Sequence, residues 1–447
     1  VIKRSFIFTI MALLTTVNAS YAGCVQTFGV GSTAKGQAEA FTAKADDYSA
    51  CYYNPAGLTQ IKSPTLSATV NFYDAEAKIK NFEINSSMTG NANLNTFGAS
   101  RMHSTGEPLF TPTMGFAMPI DNNWSFGIAG YSPYGLRVLW DHNPAKNSTA
   151  LYAWESTYYR TVINPTAAYK VNETLSLGFG VSMGHSVADA GRTLPLNPLT
   201  GAPGLTAVKL ETEDDFNYSF NAGVLYKPNK DLSMGLTYRS VTNTDFEGDF
   251  YVGGKRVAPA EMQYDHPQSV QGGIRYNFTN TLAVETDLVW TNWDINRMQV
   301  EKTPMSPTGA IVYDRDWENT VQYKIGTEWK ATEAIALRAG YAYDPTPVPE
   351  ETFDIGWPDT DRSMYTIGLG WTMSEKWSLD TALQYIRSTP MRSISGSSNL
   401  NHVYGSLIET YTKMNPSIPD IPADTVNTTM KMEGLMVAYS LTMNYKF

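Results

Sequence analysis

From about Pro64 to Phe447 the chain repeatedly alternates apolar and polar positions. At its end Leu435, Val437, Tyr439, Leu441, Met443, Tyr445 and Phe447 alternate with Met436, Ala438, Ser440, Thr442, Asn444 and Lys446. Leu175, Leu177, Phe179, Val181 and Met183 do the same against Thr174, Ser176, Gly178, Gly180 and Ser182. So do Ile335, Leu337, Ala339, Tyr341 and Tyr343 against Ala336, Arg338, Gly340, Ala342 and Asp344. A period of two marks β-strands whose faces meet different surroundings. The apolar faces carry no charge, and the other faces are mostly Gly, Ser, Thr and Asn rather than the Lys and Glu of a soluble sandwich. That asymmetry predicts lipid outside and a polar lumen inside.

The runs amount to about fourteen strands, joined by connections of alternating length. Short turns fall near Asp121 to Asn123, Val171 to Glu173, Pro228 to Lys230, Thr279 to Asn280, Ala331 to Thr332 and Ser374 to Glu375. Long loops are expected near Lys80 to Leu109, Val138 to Ser156, Ala188 to Val208, Tyr251 to Tyr264, Met298 to Asp316, Pro345 to Asp361 and Ser388 to Met430. Trp124, Tyr169, Tyr226, Trp329, Trp371 and Trp377 stand beside the short turns, where an interfacial aromatic girdle belongs. The fold class is thus all-β, a transmembrane antiparallel barrel, with an even strand count that puts both barrel ends on the periplasmic side.

Composition agrees with a half-wet, half-greasy surface: 17% of the residues are charged and 12% aromatic. Typical globular domains carry about 25% charge. The net charge of -10 argues against nucleic acid as a partner. Lys3 and Arg4 before the apolar run Phe6 to Leu14, followed by Ser20-Tyr21-Ala22, predict a cleaved export signal over residues 1–22. That run is too short to cross a bilayer as a helix. A barrel of this width needs a plug, because its side chains do not fill it. Residues 23–62, irregular and rich in Ala and Gly, are expected to form that hatch, and residues 63–447 the barrel. Cys24 and Cys51, both near the start of the exported chain, are candidates for one disulfide or for two separate thiols.

The hatch contains Tyr53-Asn54-Pro55-Ala56-Gly57-Leu58-Thr59, which resembles the Asn-Pro-Ala hatch motif of FadL-type outer-membrane channels. Further segments resemble the same family in the same order: Tyr131-Ser132-Pro133-Tyr134-Gly135-Leu136, Asn164-Pro165-Thr166-Ala167-Ala168-Tyr169 and Asp287-Leu288-Val289-Trp290-Thr291-Asn292-Trp293. The stretch from Leu337 to Pro349 and the run Pro358-Asp359-Thr360-Asp361-Arg362 follow. The resemblance implies a passive channel for hydrophobic small molecules, long-chain fatty acids or hydrocarbons, in the bacterial outer membrane. It implies capture by outer loops, a site against the hatch, and sideways release into the membrane through a gap at a kinked third strand. Partners are then the apolar ligand, outer-membrane lipid and lipopolysaccharide. The protein is expected to act as a monomer without a cofactor or metal.

Candidate ligand contacts are Phe28, Asn54, Pro55 and Ala56 in the hatch and Arg160, Lys324 and Arg338 in the lumen. A fatty-acid carboxylate favours a guanidinium or ammonium partner. By parity Lys170 and Arg275 also point inward, as do Glu285, Asp287, Glu328, Asp344 and Asp380, so pairing within the wall and with the hatch competes with ligand binding. Arg338 with Asp344 has the look of such a structural pair. Pro133, with Gly127, Gly130 and Gly135, can interrupt the ladder and open the wall at Gly130 and Pro133. Outer segments Met305 to Val312 and Met414 to Ile421 can capture ligand or pack on one another.

Two other classes compete with the channel. A lipid hydrolase is suggested by Gly180-Val181-Ser182-Met183-Gly184, with His185 near Ser182, but that motif needs a strand-to-helix turn and the alternation runs straight through. A structural or adhesive barrel is the remaining alternative. The five histidines, His103, His142, His185, His266 and His402, show no metal-ligand spacing.

Overall fold

Alternating strands with one lipid face have to close on themselves, because an open edge in hydrocarbon leaves backbone groups without partners. The computed structural model describes residues 29–90, 92–96, 98–106, 108–200, 202–303, 309–415 and 417–447. Its strands in chain order are β1 (Thr65–Ser86), β2 (Leu109–Pro119), β3 (Trp124–Leu139), β4 (Glu155–Lys170), β5 (Leu175–Leu196), β6 (Pro203–Tyr226) and β7 (Leu232–Arg239). The second half of the wall is β8 (Ser269–Asn277), β9 (Leu282–Thr291), β10 (Thr320–Lys330), β11 (Ile335–Asp344), β12 (Arg362–Thr372), β13 (Trp377–Ser388) and β14 (Val426–Lys446). Each pairs antiparallel with the next. The last, β14, pairs with β1 from Thr65↔Lys446 to Ser86↔Val426, and the ring of fourteen is shut.

The two faces sort as the alternation requires. Leu177 is 44% exposed on the outside, whereas its neighbour Ser176 is 8% exposed toward the lumen. Trp124, Tyr169, Tyr226, Trp329, Trp371 and Trp377 are all exposed on the outer surface beside the short turns. Burying such apolar surface in lipid rather than in a protein core is what holds the wall in the membrane.

Several expected loops are strands instead. Ladder continues through residues 80–86 of β1, and β5 and β6 form one long hairpin from Leu175 to Tyr226 in place of a loop at Ala188 to Val208. Residues 245–263 add a further hairpin, Asp245–Val252 with Lys255–Gln263, and residues 298–314 another, Met298–Lys302 with Ala310–Asp314. These extensions rise beyond the lipid, where both faces are wet or packed on protein, so the two-residue period that marks the membrane part fades there. A helix, Ser398–Met414, occupies much of the expected Ser388 to Met430 loop; it buries Leu400 and Tyr404 and is capped by the Ser397 hydroxyl.

Two cores lie inside the ring. In the membrane half, residues 29–62 fold into the lumen as short turns of helix, Ser32–Lys35, Ala50–Tyr53 and the 3-10 turn Pro55–Gln60. In the outer half a separate core of aromatic and aliphatic side chains, among them Tyr158, Tyr264, Trp317, Phe353 and Ile355, fills the space under the loops.

Candidate functional site

The floor of the lumen is built by the hatch, and the wall receives it mainly through acidic side chains. Asp287 on β9 accepts from the backbone N–H groups of Phe41 and Thr42, both at 3.0 Å, and from the Thr42 hydroxyl at 2.7 Å. Glu285, two residues along the same face, accepts from Ala43 N–H at 2.6 Å and Lys44 N–H at 3.3 Å. Glu328 on β10 accepts from the Lys44 ammonium at 2.6 Å, and also from Arg275 at 3.1 Å and Arg338 at 2.8 Å. Polar groups of an irregular segment need partners once buried, and these carboxylates supply them.

Asn54 ties the hatch to itself and to the wall. Its backbone is extended, at φ -159° and ψ 104°, as the following Pro55 favours. Its amide donates to Thr42 O at 2.8 Å and to Val224 O of β6 at 3.0 Å, while its Oδ1 accepts from Ala56 N–H at 3.1 Å. Close approach is possible because lumen-facing glycines leave room: a Cβ at Gly178 would overlap Pro55, and one at Gly235 would overlap the Thr42 carbonyl.

Above the hatch lies an open cavity. Hatch residues Glu39 and Tyr52 form its floor, and Arg239, Lys324, Arg362 and Asp344 are on its walls together with Met364, Ile386 and Met436. The Arg239 guanidinium lies 4.1 Å from the Tyr52 ring centroid and donates to Tyr52 O at 2.8 Å. The Lys324 ammonium is 3.4 Å from Glu39 Oε2, and Arg362 is ion-paired with Asp344. Three cations against two carboxylates leave a positive balance beside apolar side chains, the arrangement that suits an amphiphile with an anionic head.

The residues singled out from the sequence are distributed unevenly around this cavity. Lys324 lines it. Asn54, Pro55 and Ala56 are fully buried inside the hatch rather than on its ligand side. Arg160 is 1% exposed in the wall, donating from Nε to Asn217 at 2.7 Å, and among the described residues it makes no ion pair. Arg338 is enclosed by Glu328 and by Asp380 at 2.7 Å, which makes it a wall residue; the expected pairing with Asp344 is not formed, because Asp344 faces Arg362 across the β11–β12 ladder. Cys51 is a free, buried thiol, and its suggested partner Cys24, like Phe28, lies outside the described residues. Arg239 was missed although parity marks it: Ser233, Gly235, Thr237 and Arg239 are the polar face of β7, opposite Leu232, Met234, Leu236 and Tyr238.

The third strand interrupts the wall beside this cavity. β2 and β3 pair only from Pro119↔Ser125 to Met114↔Gly130. Beyond Gly130, β3 continues against β4 with a register shift between Tyr131 and Tyr134, where Ser132 and Pro133 bulge. Across the interruption β2 stays paired to β1 as far as Tyr73↔Leu109. The rim closes again where Thr105 N–H donates to Leu139 O at 2.7 Å. Proline contributes no N–H to a ladder, which accounts for the position of the bulge. The Tyr131 ring packs on Tyr52 at 5.3 Å and so links this gap to the cavity floor.

Ser182 and His185 do not form a catalytic pair. Ser182 faces the lumen and meets the Asn164 amide at 3.0 Å, while His185 is on the outer face, 3.3 Å from Glu213. Together with Asp215, His185 and Glu213 form an outer-surface group whose ligand atoms lie within 4.8 Å of one another. Two of its three members are exposed acids, and such groups are common on protein surfaces without a metal.

Comparison with known proteins gives the same picture. The family described as outer membrane protein transport protein (OMPP1/FadL/TodX) matches residues 11–447. The long-chain fatty acid transport protein of Escherichia coli O6:H1 is 25% identical over 388 residues, 79% of this chain and 84% of its own length. Outer membrane protein P1 of Haemophilus influenzae is 23% identical over 407 residues, 81% of this chain and 84% of its own length. Among solved structures, a Pseudomonas aeruginosa FadL homologue superposes with a TM-score of 0.77 at 19% identity, covering 95% of this chain and all of its own, 100%. The P. putida toluene transporter TodX superposes with a TM-score of 0.66 at 14% identity, covering 94% of this chain and 99% of its own. The chain belongs to the OMPP1/FadL/TodX family of bacterial outer-membrane transport proteins, which are channels and not enzymes.

Proposed function

We propose that this channel takes up a slim amphiphile with an apolar chain and a carboxylate head, a long-chain fatty acid, and releases it sideways into the membrane. The observation that carries the reading is the cavity above the hatch, where Arg239, Lys324 and Arg362 stand next to Met364, Ile386 and Met436. A neutral aromatic hydrocarbon gains only a cation–π attraction from these cations, whereas a carboxylate gains charge-assisted hydrogen bonds and ion pairing. The name of the E. coli relative agrees with this choice.

In this reading the outer segments around Met305 to Val312 and Met414 to Ile421, of which residues 305–308 and 416 lie outside the described residues, capture the ligand. Lys324 and Arg239 hold its head against the hatch, and the chain leaves through the gap beyond Gly130 and Pro133. Arg160, buried next to the bulge with its Nε bonded to Asn217, flanks that path. Movement of the hatch around Asn54 opens the way.

Uptake of labelled oleate by cells making equal amounts of folded protein tests the reading. Replacing Lys324 or Arg239 with Ala should lower oleate uptake while leaving any entry of toluene unchanged. Equal loss for both compounds would count against a carboxylate site, and oleate uptake no greater than in cells lacking the protein would refute the substrate class.

A further inference from the structure

A second, open cavity lies in the outer half of the barrel, lined by Tyr152, Leu210, Phe250, Arg315, Asp354 and Trp357. Between it and the inner cavity stands a partition of rings. Trp357 stacks on Tyr264 with centroids 4.9 Å apart and planes 18° from parallel, and it meets Tyr158 at 5.5 Å and Trp317 at 5.8 Å. Tyr158 in turn hydrogen-bonds His266 Nε2 at 2.7 Å, and His266 stacks on Tyr134 at 4.2 Å. His266 is paired through its backbone with Thr242, just beyond Arg239 of the inner cavity. Tyr134 lies near Arg239 and Tyr52 of the inner cavity, so the partition has Trp357 on the outer cavity and Tyr134 toward the inner one.

At these separations the rings are in van der Waals contact, so a molecule passing between the cavities has to displace one of them. Tyr158, Tyr264, Trp317 and His266 are fully buried, and Tyr158 is held in a strand. Trp357 differs. It is half-buried, sits in the connection between β11 and β12, and has the open volume of the outer cavity beside it. Its segment is pinned from both sides: Phe353 and Ile355 are buried without exposure, Asp354 is ion-paired with Arg315, and Trp357 N–H donates to Asp354 Oδ1 at 2.8 Å. The backbone is thus fixed while the indole borders the outer cavity.

We propose that Trp357 is the specificity-determining residue of uptake, the movable ring whose swing sets the cross-section of the molecule that reaches the inner cavity. A single flexible alkyl chain needs only a rotation of the indole, whereas a fused ring system needs the segment itself to shift. The proposal rests on the fatty-acid reading above.

The test compares uptake of labelled palmitate with that of a fatty acid ending in a pyrene ring, in cells matched for folded barrel by heat-modifiable gel mobility. Trp357→Ala should raise the pyrene-to-palmitate rate ratio by roughly tenfold, about the effect of removing one well-packed ring from the partition. Trp357→Phe, which keeps a smaller ring in place and gives an independent reading if the alanine variant is not assembled, should raise it by less. An unchanged ratio in folded variants overturns the proposal. Palmitate uptake by the unaltered protein no higher than in cells lacking it would instead remove the fatty-acid reading on which the proposal rests.

Discussion

Two neighbouring parts of the lumen treat charge in opposite ways. Under the hatch, Glu328 gathers Lys44, Arg275 and Arg338, and the backbone N–H groups of residues 41–44 point at Asp287 and Glu285. Four residues along β10, Lys324 has one carboxylate at 3.4 Å, and Arg239 rests on an aromatic face. The first arrangement resembles a joint, in which the charges are met chiefly by other parts of the chain. The second is under-matched on the cavity side, which is what a site awaiting an anionic ligand requires. Charged residues on the same wall thus differ in role according to how completely the protein itself satisfies them.

The contrast is most directly broken at Glu328. Glu328→Ala leaves three buried cations short of a partner and should cost about 3–5 kcal/mol of stability. Urea unfolding in lipid vesicles measures it, and Lys324→Ala should shift the same transition by clearly less. Equal shifts would mean that the two regions are not different in kind.

A smaller effect is expected at Asn54. Asn54→Ala removes bonds to Thr42 O, Val224 O and Ala56 N–H and strands buried backbone groups, which should weaken hatch docking by about 1–3 kcal/mol. Because the barrel ladder does not include Asn54, the unfolding midpoint of the wall should hold while protease cleavage within residues 29–62 becomes faster. Unchanged cleavage would make the Asn-Pro-Ala turn a mere lead into β1.

The joint should also respond to pH. Burial, with neighbouring Asp46, lifts the Asp47 carboxyl from 3.8 to about 6. The docked hatch then holds a proton that an undocked one releases, so docking weakens as pH rises from 3.8 through 6. Burial pushes Lys35 down from 10.5 to about 7 against the opposing pull of Glu39, so an undocked Lys35 takes up a proton that the docked one refuses, and docking strengthens as pH rises from 7 to 10.5. Hydrogen exchange of the hatch should therefore be fastest near pH 6–7 after correction for intrinsic rates. Asp47→Asn should flatten the acidic limb and Lys35→Met the alkaline one.

Much of the wall was readable in the residue order. Leu177 against Ser176 and Leu441 against Thr442 assign the two faces, and the girdle residues Trp124 and Trp377 locate the short turns, because lipid on one side and a polar lumen on the other impose a period of two. Asn54 before Pro55 similarly foretold an extended residue with a side chain free to bond the wall. The alternation lost its meaning where strands leave the membrane, which is why the hairpin over residues 245–263 and the upper parts of β5 and β6 read as loops.

What the order of residues could not decide is who faces whom across the ring. Arg338 and Asp344 are near in sequence and share a face, yet Arg338 went to Glu328 and Asp380, and Asp344 to Arg362. Parity assigned Lys324 and Arg160 to the lumen, but only closure of the barrel on the hatch put Lys324 on one cavity with Tyr52 and Arg239, while Arg160 was buried within the wall. The sequence by itself determined which side of the wall each residue faces, since that depends only on position within one strand. The tertiary structure decided which inward charges are matched and which remain available, because that depends on strand stagger and on where the hatch comes to rest.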